Sequence, residues 1–494
     1  MTGSPRMGRP LHWVAGILAA YIVVFYWLAC RKLDVCTSQS GDIATVNWMY
    51  YTSLHGKLFW HLDTQGPAFE MHQEPLIALY WPIYALVPGP KTLLFVQTLS
   101  IAAAGFAAFL ISRRVLADTT AATFGMLAFL FYPSIVSQNV NQLHTSVLPL
   151  PFLVFAFYFF QIERFWPFVA CALLACLGKE NTALTVAMFL PYATIQRRQR
   201  KWVLAPGALA LVSLLLSFKV IQPFFAQGRS YIALENLSPF GNSLGEVARN
   251  MLAHPGKVLG MVVNGKIFEY LILLLQPLGF LLPLFSPAMV FVLPDWFTNV
   301  ISTNDGMRVL AWHYNVNVGA FLVVAAICSL PRWEKMWPSV FGSSRARTVV
   351  AACLFIFSLA NWGQWFNRRE YAALPWHNAR VRALDLIPEA DSVIAGPGQI
   401  VGHVSQRDVF TTPERVWGTP EEMFKFNWIL FDMNYTLMMP GAPRDMAVPR
   451  ETLEAFGTNQ LYELVFRENN VFVFKRRQPI PPSDIVLKRK TRFY

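Results

Sequence analysis

The sequence predicts a mostly α-helical membrane protein that carries a small soluble α/β domain at its carboxyl end. Hydrophobic residues make up 54% of the 494 residues and charged residues only 14%, whereas soluble domains carry about 25% charged residues. The mean hydropathy is +0.38. Long apolar segments fill the chain to about residue 366, and polar residues with short β-rich runs follow. We therefore predict a polytopic helix bundle at 1–366 and a soluble domain at 367–494.

The charge pattern argues against nucleic-acid binding although the formal net charge is +12. Lys and Arg form short clusters between apolar segments, which is typical of cytoplasmic loops, so no nucleic-acid partner is expected. The six cysteines lie almost entirely in apolar segments. This position favours free thiols over a disulfide framework, and a Cys30–Cys36 pair is left open.

The apolar segments predict about eleven membrane spans. Residues 11–30 are long enough to cross a bilayer and lack a cleavage-site pattern, which indicates an uncleaved first span with the amino terminus inside. Further spans are predicted near residues 91–111, 120–136, 147–161, 165–178, 181–195, 202–223, 261–282, 284–301, 316–330 and 349–366. The apolar segment 76–90 is short and rich in proline. We expect it to dip into the outer leaflet, because a full crossing would place Arg113 and Arg114 outside.

The carboxyl-terminal region reads as alternating short helices and strands. A helix is predicted near 374–386, and strands at 392–395, 426–433, 462–466 and 469–477. The Gly-Pro-Gly turn after the first strand lacks the glycine spacing of a dinucleotide-binding fingerprint. The distribution of Lys and Arg places this α/β domain outside the cytoplasm.

The first outer loop, residues 31–90, holds more titratable side chains than a connector between two spans needs. Its segment 41–75 contains Asp42, His55, His61, Asp63, Glu70, His72 and Glu74. We interpret this segment as the catalytic loop of a membrane enzyme. No HExxH or CxxC spacing is present, which argues against a tight zinc site.

Polar residues from five separate segments fall on the same side of the membrane in this topology. The set at outer helix ends or in outer loops is Asp42, His72, His144, Lys179, Glu180, His313 and Tyr314. A charge near membrane depth is costly unless it faces protein or water, so the set predicts one outward-facing polar cavity.

Each of these residues also has a purely structural interpretation. Asp42 could cap a helix at 43–54. Glu180 could pair with Lys179 or with a residue of another helix. His144 and His313 could lie at the membrane interface with hydrogen bonds to backbone.

Several motifs in chain order resemble a bacterial family of polytopic membrane proteins of unknown function. The matching runs are DIATVNWMYYTSLHGKLF, HQEPLIALYWPIYALVPGPKTLLFVQ, NQLHTSVLPLPFLVFAFY, LGKENTAL, LPDWFTNVIST and IPEADSVIAGPGQIVGHVSQRDVF. Together they cover nearly the whole chain. That family in turn resembles the GT-C superfamily of glycosyltransferases that use lipid-linked sugars.

The resemblance implies an inverting membrane glycosyltransferase of the bacterial inner membrane. Asp42 is then the general base, and the donor is a polyprenyl-phosphate sugar whose phosphate is held by Lys179, the histidines or Arg229. His72, Glu180 and Tyr314 complete the substrate-binding set, and the partners are membrane lipid and an envelope glycan, lipid or protein as acceptor.

Two acids of the family pattern are replaced here by Asn47 and Gln142, which argues against metal binding through these two positions. A divalent cation bound by other residues is left open as a cofactor. A transporter or flippase of a lipid-linked or small solute is the alternative function. Internal repeats would favour it, and none is evident in the sequence.

The topology can be tested with fusions. A reporter that is active only outside the cytoplasm is expected to be active after Tyr494 and inactive after Gln199, because the basic clusters orient the spans. A cytoplasm-specific reporter at the same two positions should give the inverse result. A cytoplasmic carboxyl end would contradict both the topology and the shared outward-facing cavity.

Overall fold

The computed structural model describes residues 12–38, 40–62, 65–141, 143–226, 231–364, 366–396, 398–412, 420–434 and 450–485. The protein is mostly helical, and its main sheet lies near the carboxyl end, as the sequence predicts. The helices of the first half are α1 (His12–Asp34), α2 (Ser40–Leu54), α3 (Ile77–Leu86), α4 (Pro90–Leu116), α5 (Thr119–Leu130), α6 (Pro133–Asn141), α7 (Leu150–Gln161), α8 (Phe165–Cys176), α9 (Glu180–Ala187), α10 (Phe189–Ile195), α11 (Arg200–Leu216) and α12 (Gln222–Ala226).

The second half continues the bundle and then changes to mixed structure. Its helices are α13 (Leu244–Ala253), α14 (Pro255–Val262), α15 (Gly265–Leu275), α16 (Leu293–Ile301), α17 (Val316–Met336), α18 (Pro338–Phe341), α19 (Ser344–Gly363), α20 (His377–Asp385), α21 (Gly398–Val401), α22 (Pro420–Met423) and α23 (Arg450–Thr458). The strands are β1 (Trp60–His61), β2 (Gly66–Pro67), β3 (Val393–Gly396), β4 (Phe410–Thr411), β5 (Trp428–Asp432), β6 (Tyr462–Glu468) and β7 (Val471–Arg476).

Five helical segments of the described chain are long and apolar enough to cross a membrane. They are 12–34, 90–116, 200–226, 313–336 and 344–363, and two bent pairs, α5–α6 and α14–α15, raise the number to seven. The predicted spans at 147–161, 165–178, 181–195 and 284–301 instead form shorter helices. A 12-residue helix such as α8 is about 18 Å long, well below the hydrocarbon thickness. The sequence-based number of about eleven spans is therefore higher than helix length supports.

The segment after the first loop forms a helix that is too short to cross a bilayer. α3 has ten residues, which corresponds to about 15 Å, and α4 begins after a short connection, at Pro90. Pro90 suits the first turn of a helix because it has no N–H to leave unsatisfied. Leu79 and Leu86 of α3 are exposed, as expected for a short helix in contact with lipid.

Glycines bring the central helices into close contact. A Cβ at Gly105 of α4 would lie 2.5 Å from a methyl carbon of Leu130 in α5, and one at Gly319 of α17 would lie 2.3 Å from the hydroxyl of Ser134 in α6. Small residues at such positions let helices pack closely in a membrane, where dispersion contacts replace the hydrophobic driving force. α4 and α17 are consequently the most buried of the long helices.

The carboxyl-terminal sheet has five strands in the order β4-β3-β5-β7-β6. β3 pairs in parallel with β4 and β5, whereas β7 is antiparallel to both β5 and β6. The four strands predicted from sequence are all present, with ends shifted by no more than two residues. α20 also falls within the predicted helix near 374–386.

Helix α2 of the first loop packs against this sheet rather than only against the membrane bundle. Ala44 and Trp48 belong to the apolar core formed by β3, β5 and α20. The indole N–H of Trp48 donates to the carbonyl of Arg407 (3.0 Å), and the amide of Asn47 donates to the hydroxyl of Ser405 (2.9 Å). The first loop and the carboxyl-terminal domain therefore share one core.

A fully buried ion pair connects the domain to the end of α1. Arg380 of α20 pairs with Asp432 at the end of β5, and neither side chain is exposed. Arg380 also donates to the carbonyl of Cys36 at 3.1 Å, and Asp432 accepts hydrogen bonds from the backbone and side-chain N–H groups of Asn434. A buried charge pair is stable only when its remaining donors and acceptors are satisfied in this way.

Removal of one member of this pair should destabilise the carboxyl-terminal domain. Arg380→Leu leaves Asp432 charged and buried, so we expect the free energy of unfolding to fall by about 3–5 kcal/mol. Arg382→Gln on the same helix breaks only an exposed pair with Glu468 and should cost less than about 1 kcal/mol. Denaturant-dependent proteolysis of the domain in detergent compares the two variants. Equal effects would contradict the role given to Arg380.

Candidate active site

A polar cavity lies where the first loop meets the helices of the membrane bundle. Its volume is about 490 Å³. The walls come from α2, from the loop before α3, from the starts of α9 and α17, from α16 and from residues 231–236, and Thr412 adds a contact from the carboxyl-terminal domain. The cavity is thus bounded by both domains.

All seven candidate residues from the sequence line this one cavity. They are Asp42, His72, His144, Lys179, Glu180, His313 and Tyr314. His61 and Glu74 of the first loop line it as well, whereas His55 is exposed and hydrogen-bonds to the carbonyl of Tyr51. Asp63, Gln142 and Arg229 lie outside the described residues.

Glu180 connects three parts of the site. Its carboxylate lies 2.8 Å from Nδ1 of His72, accepts the backbone N–H of Gln73 at 3.1 Å, and accepts the hydroxyl of Tyr231. The side chain is 5% exposed. The sequence left open a pair with Lys179, but the observed partners come from the first loop and from the segment after α12.

The environment keeps Glu180 ionised. Burial alone would raise the pKa of its carboxyl group, but the charge and hydrogen bond of His72, the charge of Lys179 and the hydroxyl of Tyr231 lower this pKa to about 2. The same contact raises the pKa of Tyr231 far above its ordinary value, through burial and the neighbouring carboxylate. Tyr231 therefore stays protonated and acts as a donor.

Lys179 has a different partner from the adjacent Glu180. Its ammonium nitrogen lies 3.7 Å from the carboxylate of Glu74, which is beyond a direct hydrogen bond. Among the described residues, this ammonium group donates no hydrogen bond, and Glu74 is its one ion-pair partner. Lys179 therefore combines a buried positive charge with N–H donors that can still bind a ligand.

His144 and His313 form a stacked pair in the cavity. Their ring centroids are 3.5 Å apart and the planes differ by 4°. Nδ1 of His144 accepts the backbone N–H of Ser146 at 3.1 Å, which places the ring proton on Nε2. Burial, followed by the nearby His313, Lys179 and His72, lowers the pKa of His144 well below its ordinary value. His144 is thus a neutral imidazole with one N–H donor.

Asp42 lies in the first turn of α2, not at the residue that precedes the helix. The predicted helix at 43–54 begins earlier, at Ser40, so the capping alternative does not apply to Asp42 as stated. A carboxylate in a first helical turn is stabilised by the helix dipole. The position leaves Asp42 in the wall of the cavity.

Sequence reasoning missed a buried acid on α16. Asp295 accepts hydrogen bonds from the amide groups of Asn181 (2.9 Å) and Asn317 (3.0 Å), and all three residues line the cavity. A carboxylate accepts only, so both amides must turn their NH₂ groups towards Asp295. An acidic residue within an apolar segment is unusual in a membrane chain, and this signal in the LPDW run could have identified it.

The described wall of the cavity holds more acidic residues than lysine and arginine residues. The acids are Asp42, Glu74, Glu180, Glu235 and Asp295, and the only lysine or arginine among the described lining residues is Lys179. Within the described chain, no three His, Cys, Asp or Glu side chains are grouped closely enough to hold a metal ion. We therefore assign no step to a metal, and the divalent cation stays a prediction.

The family of the chain follows from its sequence. The profile of a family described as predicted membrane protein (DUF2079) matches residues 45–473. The chain belongs to this family. The resemblance seen in the motifs is thereby confirmed. A search of curated proteins found no match.

Solved structures identify the fold as that of GT-C glycosyltransferases. ArnT from Cupriavidus metallidurans bound to undecaprenyl phosphate aligns with a TM-score of 0.54 and 14% identity, over 94% of this chain and 98% of ArnT. Apo ArnT gives 0.51 and 14%, over 92% and 98%. Arabinofuranosyltransferase AftD from Mycobacteria gives 0.50 and 12%, over 98% of this chain and 40% of AftD.

The contacts of Glu180 predict a local effect of its substitution. Glu180→Gln keeps only one accepting oxygen. Either the bond from the backbone N–H of Gln73 or the contacts with His72 and Tyr231 are therefore lost. We expect the protein to stay folded in the membrane while amide hydrogens around residues 68–75 exchange faster. Glu163→Gln, at an exposed pair with Arg198, is the control. If Glu180→Gln removed the protein from the membrane, the carboxylate would be required for the fold as a whole.

Proposed function

We propose that this protein is an inverting membrane glycosyltransferase. It moves a sugar from a polyprenyl-phosphate donor to an envelope acceptor at the outer face of the bacterial inner membrane, with the amino terminus in the cytoplasm. The observation that carries the proposal is the convergence of Asp42, Lys179 and the stacked histidines in one cavity between membrane helices and a soluble domain. The GT-C fold supports the same reaction class.

In the proposed reaction, Asp42 is the general base. The acceptor hydroxyl loses its proton to the Asp42 carboxylate as its oxygen attacks C1 of the sugar. The bond between C1 and the phosphate oxygen breaks, and that oxygen keeps the electron pair in the departing polyprenyl phosphate. Attack from the face opposite to the phosphate inverts the configuration at C1. A positioned base typically contributes about a hundred- to ten-thousandfold in rate.

Donors near Lys179 are suited to the leaving phosphate. The ammonium group is charged and the Nε2–H of His144 is a neutral donor, so both can stabilise the negative charge that grows on the phosphate oxygen. Lys179 and His144 come from separate segments and line the same cavity. His72, Glu180, His313 and Tyr314 are proposed to bind and orient the substrates.

The sugar is proposed to lie against the wall built by Asp295. Carboxylate and amide oxygens accept hydrogen bonds from hydroxyl groups, and this wall supplies Asp295, Asn181 and Asn317. The polyprenyl chain would leave the cavity along α3, whose exposed Leu79 and Leu86 suit contact with lipid tails. ArnT, with which the fold is shared, has been solved with undecaprenyl phosphate bound.

Substitution of Asp42 tests the base. Asp42→Asn keeps the shape of the side chain but cannot take a proton, so we expect the rate of sugar transfer to fall by about a hundred- to ten-thousandfold. The loss of a charge from the first turn of α2 should cost less than about 1 kcal/mol of stability. Transfer from a polyprenyl-phosphate sugar by purified protein gives the rate, and thermal unfolding gives the stability.

Two further variants complete the comparison. Asp42→Ala should be as inactive as Asp42→Asn, because both variants lack the base. If the role of Asp42 were structural, Asn would be tolerated better than Ala. Asp385→Asn removes an exposed carboxylate on α20 and should leave the rate unchanged. Full activity of Asp42→Asn would rule out Asp42 as the catalytic base.

A further inference from the structure

A second polar cavity lies at the other end of the helices that build the first one. Its volume is also about 490 Å³. Gln97 of α4 accepts the backbone N–H of His144 beside the first cavity, and Arg114, in the last turn of α4, lines the second. At 1.5 Å per residue the two positions are about 25 Å apart along the helix. On α17, Asn317 lines the first cavity and Arg332 lines the second.

The second cavity is positively charged. Arg114 and Arg332 enter it from two different helices, and its described lining residues include no Asp or Glu. Gln161, Gln196, Tyr192 and Ser286 add neutral hydrogen-bonding groups. In the first cavity the described acids outnumber the basic residues, so the two cavities favour ligands of different charge.

Within the described chain, the two arginines lack carboxylate partners. Arg332 donates one hydrogen bond, to the carbonyl of Phe285 at 3.0 Å, and its guanidinium has further N–H donors. Arg198 at the same end pairs with Glu163. Arg114 and Arg332 are both exposed side chains that line one cavity, and the described lining of this cavity holds no acid, so the cavity favours the binding of an anion.

The position of the cavity indicates which anion it takes. Arg114 ends a 27-residue apolar helix, and Arg332 lies in the last turns of the 24-residue apolar segment 313–336. The cavity therefore lies at the boundary of the hydrocarbon layer, where lipid phosphates are located. Basic pockets between membrane helices bind the head groups of anionic lipids, and a guanidinium matches the geometry of a phosphate.

We propose that Arg114 and Arg332 form a binding site for the phosphate group of an anionic phospholipid. The site lies opposite the candidate active site and does not depend on the proposed glycosyltransferase activity. The neutral side chains of Gln161, Gln196 and Tyr192 bind the remaining head-group oxygens. A lipid head group and a soluble phosphate compound would present the same phosphate group to the arginines. The test therefore has to distinguish these two sources.

The test measures retained lipid on the whole purified protein. Native mass spectrometry after titration with phosphatidylglycerol or phosphatidylcholine gives the bound fraction. Wild type should bind phosphatidylglycerol more tightly, and Arg114→Gln with Arg332→Gln should weaken this binding about tenfold or more, because charge-assisted hydrogen bonds are lost. The control, Arg164→Gln with Arg345→Gln, removes the same charge from two exposed arginines outside the cavity and should bind as wild type does.

A second pair of variants leaves both arginines in place. Gln196→Glu adds a carboxylate to the cavity lining and should weaken phosphatidylglycerol binding, whereas Gln199→Glu, three residues further on and outside the lining, should not. This pair decides the question if the double arginine variant does not fold. Equal binding by Gln196→Glu and wild type would overturn the proposal, as would an equal loss in the control arginine pair.

Inorganic phosphate separates the two sources of the anion. If the lipid is the ligand, millimolar phosphate should leave the retained phosphatidylglycerol unchanged. Displacement of the lipid by phosphate, with the same dependence on Arg114 and Arg332, would support the phosphate site but assign it to a soluble ester. The site would be refuted if wild-type protein bound phosphatidylglycerol no more tightly than phosphatidylcholine and also did not bind phosphate.

Discussion

The burial of Glu180 is the constraint on which the cavity depends. A carboxylate that remains charged away from water is costly unless donors surround it. The donors come from His72 and Gln73 in the first loop and from Tyr231 after α12, while Glu180 itself begins α9. The first loop and the segment at 231–236 must therefore close over the membrane helices, and this closure encloses the polar cavity between them.

The carboxyl-terminal domain is the second determinant of the site. α2, which carries Asp42, shares its apolar core with β3 and β5, and the hydrogen bond from Trp48 to Arg407 fixes it on the sheet. The ion pair of Arg380 and Asp432 in turn attaches that sheet to the end of α1. The position of Asp42 is thus set by residues more than 300 positions away. The carboxyl-terminal domain therefore belongs to the scaffold of the candidate site, because it fixes the helix that carries Asp42.

Most of the architecture could be predicted from the sequence, but the partners of the charged side chains in the cavity could not. Hydropathy predicted the bundle and the strand pattern predicted the sheet. The partition of Lys and Arg predicted that seven candidate residues share one cavity, and they line one cavity in the structure. The sequence could not assign Glu180 to His72 and Lys179 to Glu74, because adjacent residues at a helix start diverge in space and their partners are set by tertiary packing. Hydropathy also does not register helix breaks, so the apolar stretch 181–195 read as one span although it forms α9 and α10.

The charge of the first cavity has a consequence for the proposed reaction. Its described acids outnumber its one lysine, so the proposed site binds phosphate only beside Lys179 and His144 and favours sugar hydroxyls along the rest of its wall. A polyprenyl-phosphate sugar is a phosphodiester with one negative charge, and its apolar chain partitions into lipid, which offsets the repulsion by these acids. After transfer the lipid leaves as a monoester with a charge of about −1.5 to −2 at neutral pH, as for other phosphate monoesters. In the proposed reaction, the ionised carboxylates of the cavity would repel this product more strongly than the donor and would favour release of the spent lipid.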